Sequence, residues 1–164
     1  MVTEKMQGGT FGGVEDLYRE VILEHFKSPR NKGPLPEADM KADGMNPLCG
    51  DKISISAVVK DGKVADIHFE GHGCAISQSS ASMMTAVFKG RPVEETKELT
   101  RLFKSIFGVE SEDGSSPVKF SLNNLGDLQA LEGVKRYPVR IKCALLAWNT
   151  WLEALKSQGA DQSS

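Results

Sequence analysis

The stretch that decides the fold runs from residue 53 to residue 69 and reads Ile53-Ser54-Ile55-Ser56-Ala57-Val58-Val59-Lys60-Asp61-Gly62-Lys63-Val64-Ala65-Asp66-Ile67-His68-Phe69. Apolar and polar side chains alternate on both sides of its centre, a period of two that is typical of strands with one buried face. The central Asp61-Gly62 pair accepts the positive φ values of a tight primed turn. The stretch therefore predicts an antiparallel hairpin whose inward residues are Ile53, Ile55, Ala57, Val59, Ala65, Ile67 and Phe69.

Helical spacing of apolar residues surrounds this hairpin. It predicts helices over 14–26, over about 75–88, from Pro92 through Ile106, from a cap at Asn123 to a stop at Gly133, and from Pro138 to about Lys156. Prolines and turn residues make 34–48 an irregular approach to the hairpin, and 108–118 reads as a loop. Because the strands precede most of the helices, we expect an α+β fold with helices packed on one face of a small antiparallel sheet.

The length of 164 residues fits one domain, which we place at 14–156, with a flexible arm at 1–13 and a disordered tail at 157–164. The net charge of −2 and the isoelectric point near 5.9 give no electrostatic argument for binding nucleic acid or an anionic membrane. No apolar run approaches the roughly 18 residues of a membrane-spanning helix. An odd number of widely separated thiols predicts a reducing, cytoplasmic setting.

The three cysteines are the main candidates for chemistry. Cys49 lies in Asn-Pro-Leu-Cys-Gly-Asp, two residues before Asp51, and Cys74 follows the Gly-His-Gly turn after the second strand. An antiparallel hairpin places the start of its first strand beside the end of its second, so Cys49 and Cys74 should meet at one end of the sheet. Cys143 lies about 160° around the last helix from its apolar stripe, which predicts that it points away from the main buried face.

Three thiolates and one carboxylate would complete a tetrahedral site for zinc, and iron or an iron–sulfur cluster accepts the same donors. The thiols could equally be reactive groups, or buried small hydrophobes. His72 is a further possible ligand, although a solvated loop histidine is the simpler interpretation. Arg140 and Lys142 flank Cys143 and could support a thiolate, with a solvated charged face as the alternative. Spacing alone does not choose among these readings.

Several separate motifs resemble the IscU/NifU-like iron–sulfur assembly proteins. They are residues 18–26 (YREVILEHF) with 28–31 (SPRN), 46–51 (NPLCGD), 73–77 (GCAIS) and 142–143 (KC). The resemblance covers about 15–156. Typical scaffold members have histidine where this chain has Lys142, and they lack a segment of the kind found here between about Gly108 and Arg136. The sequences at 125–128, 131–134 and 138–144 resemble the SufU branch of the family.

The resemblance implies a zinc site formed by Cys49, Asp51, Cys74 and Cys143, with Cys49 as the sulfur-accepting thiol and Arg140 as a supporting residue. It implies a sulfurtransferase that takes persulfide sulfur from a SufS-type cysteine desulfurase and passes it to downstream iron–sulfur assembly proteins. One alternative is a scaffold on which a [2Fe–2S] cluster is built. A second is a structural zinc module without sulfur chemistry.

Overall fold

A computed structural model of the chain describes residues 18–109 and 121–163. Its elements in chain order are helix α1 (residues 18–27), strands β1 (Met40–Asn46), β2 (Asp51–Lys60) and β3 (Lys63–His72), helices α2 (Ala75–Phe88) and α3 (Val93–Ile106), a 3-10 segment (Leu122–Arg136) and helix α4 (Pro138–Ser163). The predicted arm at 1–13, the predicted start of the first helix at Val14 and most of the predicted loop at 108–118 lie outside the described residues.

The predicted hairpin is confirmed as β2 and β3, in a three-stranded antiparallel sheet of order β1-β2-β3. Asp61 and Gly62 both have positive φ, 54° and 75°, as the primed turn requires. The predicted inward set is wrong at Ala65, and Val59 is only partly buried. A bulge pairs Val58 with Asp66 and Val59 with Val64, which leaves Ala65 unpaired and exposed. Because an extra residue shifts the alternation by one, Val58 and Val64 are buried instead.

The strand β1 occupies part of the segment that was predicted to be irregular. It pairs with β2 from Met40↔Ala57 to Asn46↔Asp51. Its alternation is weak in the sequence because small residues face the helix layer: a Cβ added at Gly44 would overlap the hydroxyl of Thr150 and crowd Leu146 on α4. The close packing of β1 on α4 requires small residues on β1, so the sequence lacks the alternating large apolar side chains that predict a strand.

The helix α4 is buried on two sides, and this corrects the prediction for Cys143. All six positions 143–148 are buried, and Cys143 itself is 0% exposed. The predicted apolar stripe does face other helices, since Trp148 donates its Nε1–H to Ser80 Oγ on α2 at 3.0 Å. The opposite side, which carries Cys143, is covered by β1, the strand that the sequence did not predict. The two tryptophans lie in the core, with Trp148 stacked on Phe103 at 4.3 Å between ring centroids.

Three boundaries also differ from prediction. Ser121, not Asn123, precedes the 3-10 segment, because Asn124 Oδ1 accepts the Ser121 N–H at 2.8 Å. That segment passes Gly133 and ends at Arg136. The helix α4 continues beyond Lys156 to Ser163, since the intervening residues include no proline and a single glycine costs only about 1 kcal/mol relative to alanine. Within the described residues, no helix is both long and apolar enough to span a membrane.

Candidate metal centre

Four predicted site residues arrive at one end of the sheet from four different elements. Cys49 lies in the turn between β1 and β2, and Asp51 is the first residue of β2. Cys74 is the N-cap of α2, directly after β3, and Cys143 lies in the second turn of α4. The antiparallel pairing of Lys52 with His72 brings the first three positions together, as the hairpin argument predicted. The packing of α4 on β1 adds the fourth.

The sulfur and oxygen atoms of these residues lie at contact distances. Cys143 Sγ is 3.2 Å from Cys49 Sγ, and Cys74 Sγ is 3.8 Å from Asp51 Oδ2. The possible ligand atoms of Cys49, Asp51 and Cys143 all lie within 4.8 Å of one another. The three cysteines are free thiols, because even the shortest of these separations is far longer than the roughly 2.05 Å of a disulfide bond.

The chemistry of the donor set fits zinc. Zinc–sulfur bonds of about 2.3 Å and zinc–oxygen bonds near 2.1 Å place tetrahedral ligand atoms roughly 3.5–3.8 Å apart. The Cys74–Asp51 separation of 3.8 Å already has this length, and the Cys49–Cys143 separation of 3.2 Å needs to open by about half an ångström. Three sulfurs and one oxygen are also acceptable donors for iron, so the set by itself does not choose the metal.

A glycine makes the approach of Cys74 to Asp51 possible. The Cys74 backbone N–H donates to Asp51 Oδ1 at 2.8 Å. Gly73, directly before it, has φ of +143°, and a Cβ at this position would overlap Asp51 Oδ1 and come within 2.8 Å of Asp51 Cα. Any side chain at residue 73 would therefore displace the carboxylate from the cysteines.

The carboxylate of Asp51 is held ionised although its residue is 0% exposed. Burial by itself raises its pKa, but the hydrogen bond from the Cys74 backbone, with further ones from Cys143, Cys74 and Ser77, brings the pKa below the ordinary 3.8. Burial, the Asp51 carboxylate and the neighbouring thiols in turn raise the pKa of the Cys143 thiol well above its usual range. A divalent cation at this point would reverse that effect, since it favours the thiolate form of every sulfur around it.

Arg140 lies at the rim of the cluster, one helical turn before Cys143. Its pKa is raised, first by the charge of Cys74 and then by a hydrogen bond to Cys143 and the charges of Cys143 and Cys49, while its side chain stays in solvent. Lys142 is exposed, and no contact with the cluster is seen for it. The structure thus brings Arg140, but not Lys142, to the cysteines.

The histidines lie outside the cluster. His72 is exposed at the end of β3, in agreement with the solvated interpretation. His68 contacts the Pro34 carbonyl oxygen at 3.1 Å. His25 is 2% exposed and structural: its Nδ1 lies 2.8 Å from Ser82 Oγ, and its Nε2 lies 3.0 Å from Asp127 Oδ2.

Two residues around the cluster were not singled out from the sequence. Asn46 Nδ2 lies 3.5 Å from Cys143 Sγ, and Ser77 donates to the Cys74 carbonyl oxygen at 3.2 Å and helps to lower the pKa of Asp51. The Asn-Pro pair that opens the Cys49 turn is a turn-initiation signal, which could have drawn attention to Asn46. Ser77 carried no comparable signal, because serine is frequent throughout α2.

The sequence profile of the NifU-like N-terminal domain matches residues 17–144 of this chain, which include all four clustered residues. The chain belongs to this family. A Bacillus subtilis relative named zinc-dependent sulfurtransferase SufU is 42% identical over 82% of this chain and 86% of its own length. A Thermotoga maritima relative named iron–sulfur cluster assembly scaffold protein IscU is 39% identical over 85% of this chain and 93% of its own.

Solved structures of NifU-like proteins confirm the predicted fold. A Fervidobacterium islandicum protein, described as an iron–sulfur cluster assembly scaffold protein for the SUF system, is 32% identical with a TM-score of 0.74, over 83% of this chain and 94% of its own. The N-terminal part of a NifU-like protein from Brucella abortus is 25% identical with a TM-score of 0.72, over 87% of this chain and 94% of its own. The comparisons therefore confirm both the family resemblance and the α+β fold that the sequence predicted.

Proposed function

We propose that this chain is a zinc-dependent sulfur acceptor that takes persulfide sulfur from a SufS-type cysteine desulfurase in the cytoplasm and passes it into iron–sulfur cluster assembly. The observation that carries the proposal is the convergence of Cys49, Asp51 and Cys143, whose possible ligand atoms lie within 4.8 Å of one another, with Cys74 Sγ 3.8 Å from the ionised Asp51 carboxylate. The name of the Bacillus subtilis relative supports zinc and sulfur transfer, and the IscU relatives support the assembly context.

The proposed zinc ligands are Cys49, Asp51, Cys74 and Cys143. Bound zinc would keep the thiolates deprotonated near neutral pH without taking part in redox chemistry. We assign sulfur acceptance to Cys49 because it lies in a turn and is partly exposed, whereas Cys143 is 0% exposed inside a helix. A turn residue can leave the cluster toward a docked enzyme without moving a helix.

The transfer itself is an exchange between sulfurs. The Cys49 thiolate attacks the terminal sulfur of the desulfurase persulfide, and the sulfur–sulfur bond of the donor breaks. The donor cysteine leaves as a thiolate, and Cys49 becomes the persulfide. No external oxidant or reductant is required, because the sulfane sulfur keeps its oxidation state. The exposed guanidinium of Arg140 lies at the mouth of the cluster, where it can stabilise anionic sulfur during the exchange.

The second candidate function is a scaffold on which a [2Fe–2S] cluster is assembled, with the same cysteines as ligands. The relatives named as IscU scaffolds favour it, whereas Lys142 stands where typical scaffolds have histidine. Metal analysis of protein purified without added metal separates the two. One zinc per chain without visible absorption supports transfer, and a brown protein with acid-labile sulfide supports the scaffold.

The deciding experiment replaces Cys49 by alanine and measures desulfurase turnover with cysteine as the substrate. Sulfur transfer predicts that the variant no longer stimulates turnover. A Lys142→Ala variant is the matched control, because it changes an exposed residue beside Cys143 without touching the cluster. Unchanged stimulation by Cys49→Ala would reject the transfer and leave the structural zinc module.

A further inference from the structure

Asn46 connects two of the clustered cysteines. It is the last residue of β1 and is 6% exposed. Its side-chain Oδ1 accepts the Leu48 N–H at 3.3 Å, and its backbone oxygen accepts the Cys49 N–H at 3.2 Å, so it fixes the turn that carries Cys49. Its Nδ2 donates to Cys143 Sγ at 3.5 Å. One residue therefore shapes the loop of one thiol and hydrogen-bonds the sulfur of the other.

The two sulfurs differ in the hydrogen bonds they receive. Cys143 Sγ receives a hydrogen bond from the Asn46 side-chain amide at 3.5 Å. Cys49 Sγ accepts the Cys143 S–H at 3.2 Å, and in the part of the chain that the structure describes no N–H group makes a hydrogen bond to it. Hydrogen bonds from N–H groups draw electron density from a thiolate and make it a weaker nucleophile. The geometry thus weakens Cys143 and leaves Cys49 the more reactive of two adjacent sulfurs.

We propose that Asn46 is a positioning residue that assigns sulfur acceptance to Cys49, by holding its turn in place while quenching the nucleophilicity of Cys143 through the Nδ2–H···Sγ hydrogen bond. This role of Asn46 in choosing the acceptor cysteine rests on the proposed sulfur transfer. Without Asn46 the turn that carries Cys49 would be free to open, and the Cys143 sulfur 3.2 Å away would then be uncovered as well as unquenched. Sulfur accepted on Cys143 would be enclosed in the core and unable to reach a downstream protein.

The test uses two variants of the full, zinc-loaded chain. Asn46→Asp keeps an oxygen that can accept the Leu48 N–H but removes the N–H donor to Cys143, whereas Asn46→Ala removes both. Asn124→Ala is the matched control, because Asn124 is exposed and accepts the Ser121 N–H far along the chain from any cysteine. Each protein is treated with less than one equivalent of iodoacetamide, and the labelled cysteine is identified by peptide mass spectrometry.

We expect label on Cys49 in the unchanged protein and in Asn124→Ala. In both Asn46 variants we expect the share on Cys143 to rise about tenfold, the scale of effects seen when a residue that supports a metal ligand is removed. Label that stays on Cys49 in both variants overturns the proposal. Label spread evenly over all three cysteines also overturns it, because that pattern reports general loss of structure.

A spectroscopic measurement separates hydrogen bonding from simple exposure. With cobalt(II) in place of zinc, the sulfur-to-metal charge-transfer band reports the electron density on the thiolates. Loss of the Asn46 donor should move this band to longer wavelength in both variants and leave it unchanged in Asn124→Ala. An unshifted band overturns the proposal.

Incubation of the unchanged protein with desulfurase and cysteine then distinguishes the two proposals. Absence of persulfide on Cys49 defeats the proposed function, while the labelling and cobalt results still decide the role of Asn46.

Discussion

Two polar clusters lie beside helix α2, and they are built in opposite ways. The Ser82 cluster consists of Ser82, His25, Asp127 and the backbone N–H of Arg30. Its members satisfy one another's hydrogen bonds. Ser82 Oγ lies 2.8 Å from both His25 Nδ1 and the Arg30 backbone nitrogen, and His25 Nε2 lies 3.0 Å from Asp127 Oδ2. The candidate metal centre brings Cys49, Cys143 and the ionised Asp51 together, with Cys74 Sγ against Asp51 and the Arg140 guanidinium at its rim.

The difference separates a polar cluster that satisfies itself from one that is a candidate binding site. In the Ser82 cluster every donor meets an acceptor, so burial leaves nothing unpaired. In the candidate metal centre, potential anions outnumber cations, and the pKa of Cys143 is driven upward first by burial and then by Asp51 and the neighbouring thiols. A cation bound at this set would remove that opposition and would thereby stabilise the fold.

Metal removal should have the largest effect. At a zinc concentration about a thousandfold above the dissociation constant, binding contributes roughly 4 kcal/mol to the free energy of unfolding. For a chain of this length a strong chelator should lower the melting temperature by about 10 °C, measured by calorimetry. A Ser82→Ala variant should show the same chelator-dependent shift, because its cluster has no place for the metal. A melting temperature unaffected by complete metal removal would contradict the proposed centre.

Gly73→Ala should damage the metal centre next most strongly. The added Cβ overlaps Asp51, so the carboxylate must move away from the cysteines. We expect the zinc affinity to fall about 10- to 100-fold in a chelator competition, with a loss of roughly 2 kcal/mol in the free energy of unfolding. Gly133→Ala is the control, since a Cβ there meets nothing within 4 Å. Equal zinc affinities in the two variants would show that Asp51 is not a ligand.

Ser82→Ala should lower stability without changing metal binding. It leaves His25 Nδ1 and the Arg30 N–H without their Ser82 partner, which costs about 2 kcal/mol. Denaturant unfolding should show this loss, and zinc analysis should still give the stoichiometry of the unchanged protein. Loss of zinc in this variant would mean that the two clusters are coupled through α2.

Asp127→Asn should have the smallest effect. The side chain of Asp127 is 59% exposed, so its contact with His25 is worth at most about 0.5 kcal/mol, and an asparagine oxygen can still accept the His25 N–H. Denaturant midpoints of the two proteins should nearly coincide. A loss as large as that of Ser82→Ala would show that the Ser82 cluster depends on charge and not on hydrogen bonding.

The sequence predicted those parts of the fold that are local. The Asp61-Gly62 turn specified the hairpin, and the hairpin alone placed Cys49 and Cys74 at the same end of the sheet. It could not place Cys143, because that requires β1, whose contact with α4 depends on Gly44 being small. The role of Asn46 was hidden for the same reason, since its contact with Cys143 joins positions 97 residues apart.

The central position of α4 has a consequence for how the protein matures. Cys143 is carried by a helix that packs against β1, β2 and α2. A chain in which this helix has not docked cannot present all three thiols to one ion. Metal loading would then act as a checkpoint on folding, because a newly synthesised chain acquires high affinity only after its last long helix has joined the rest.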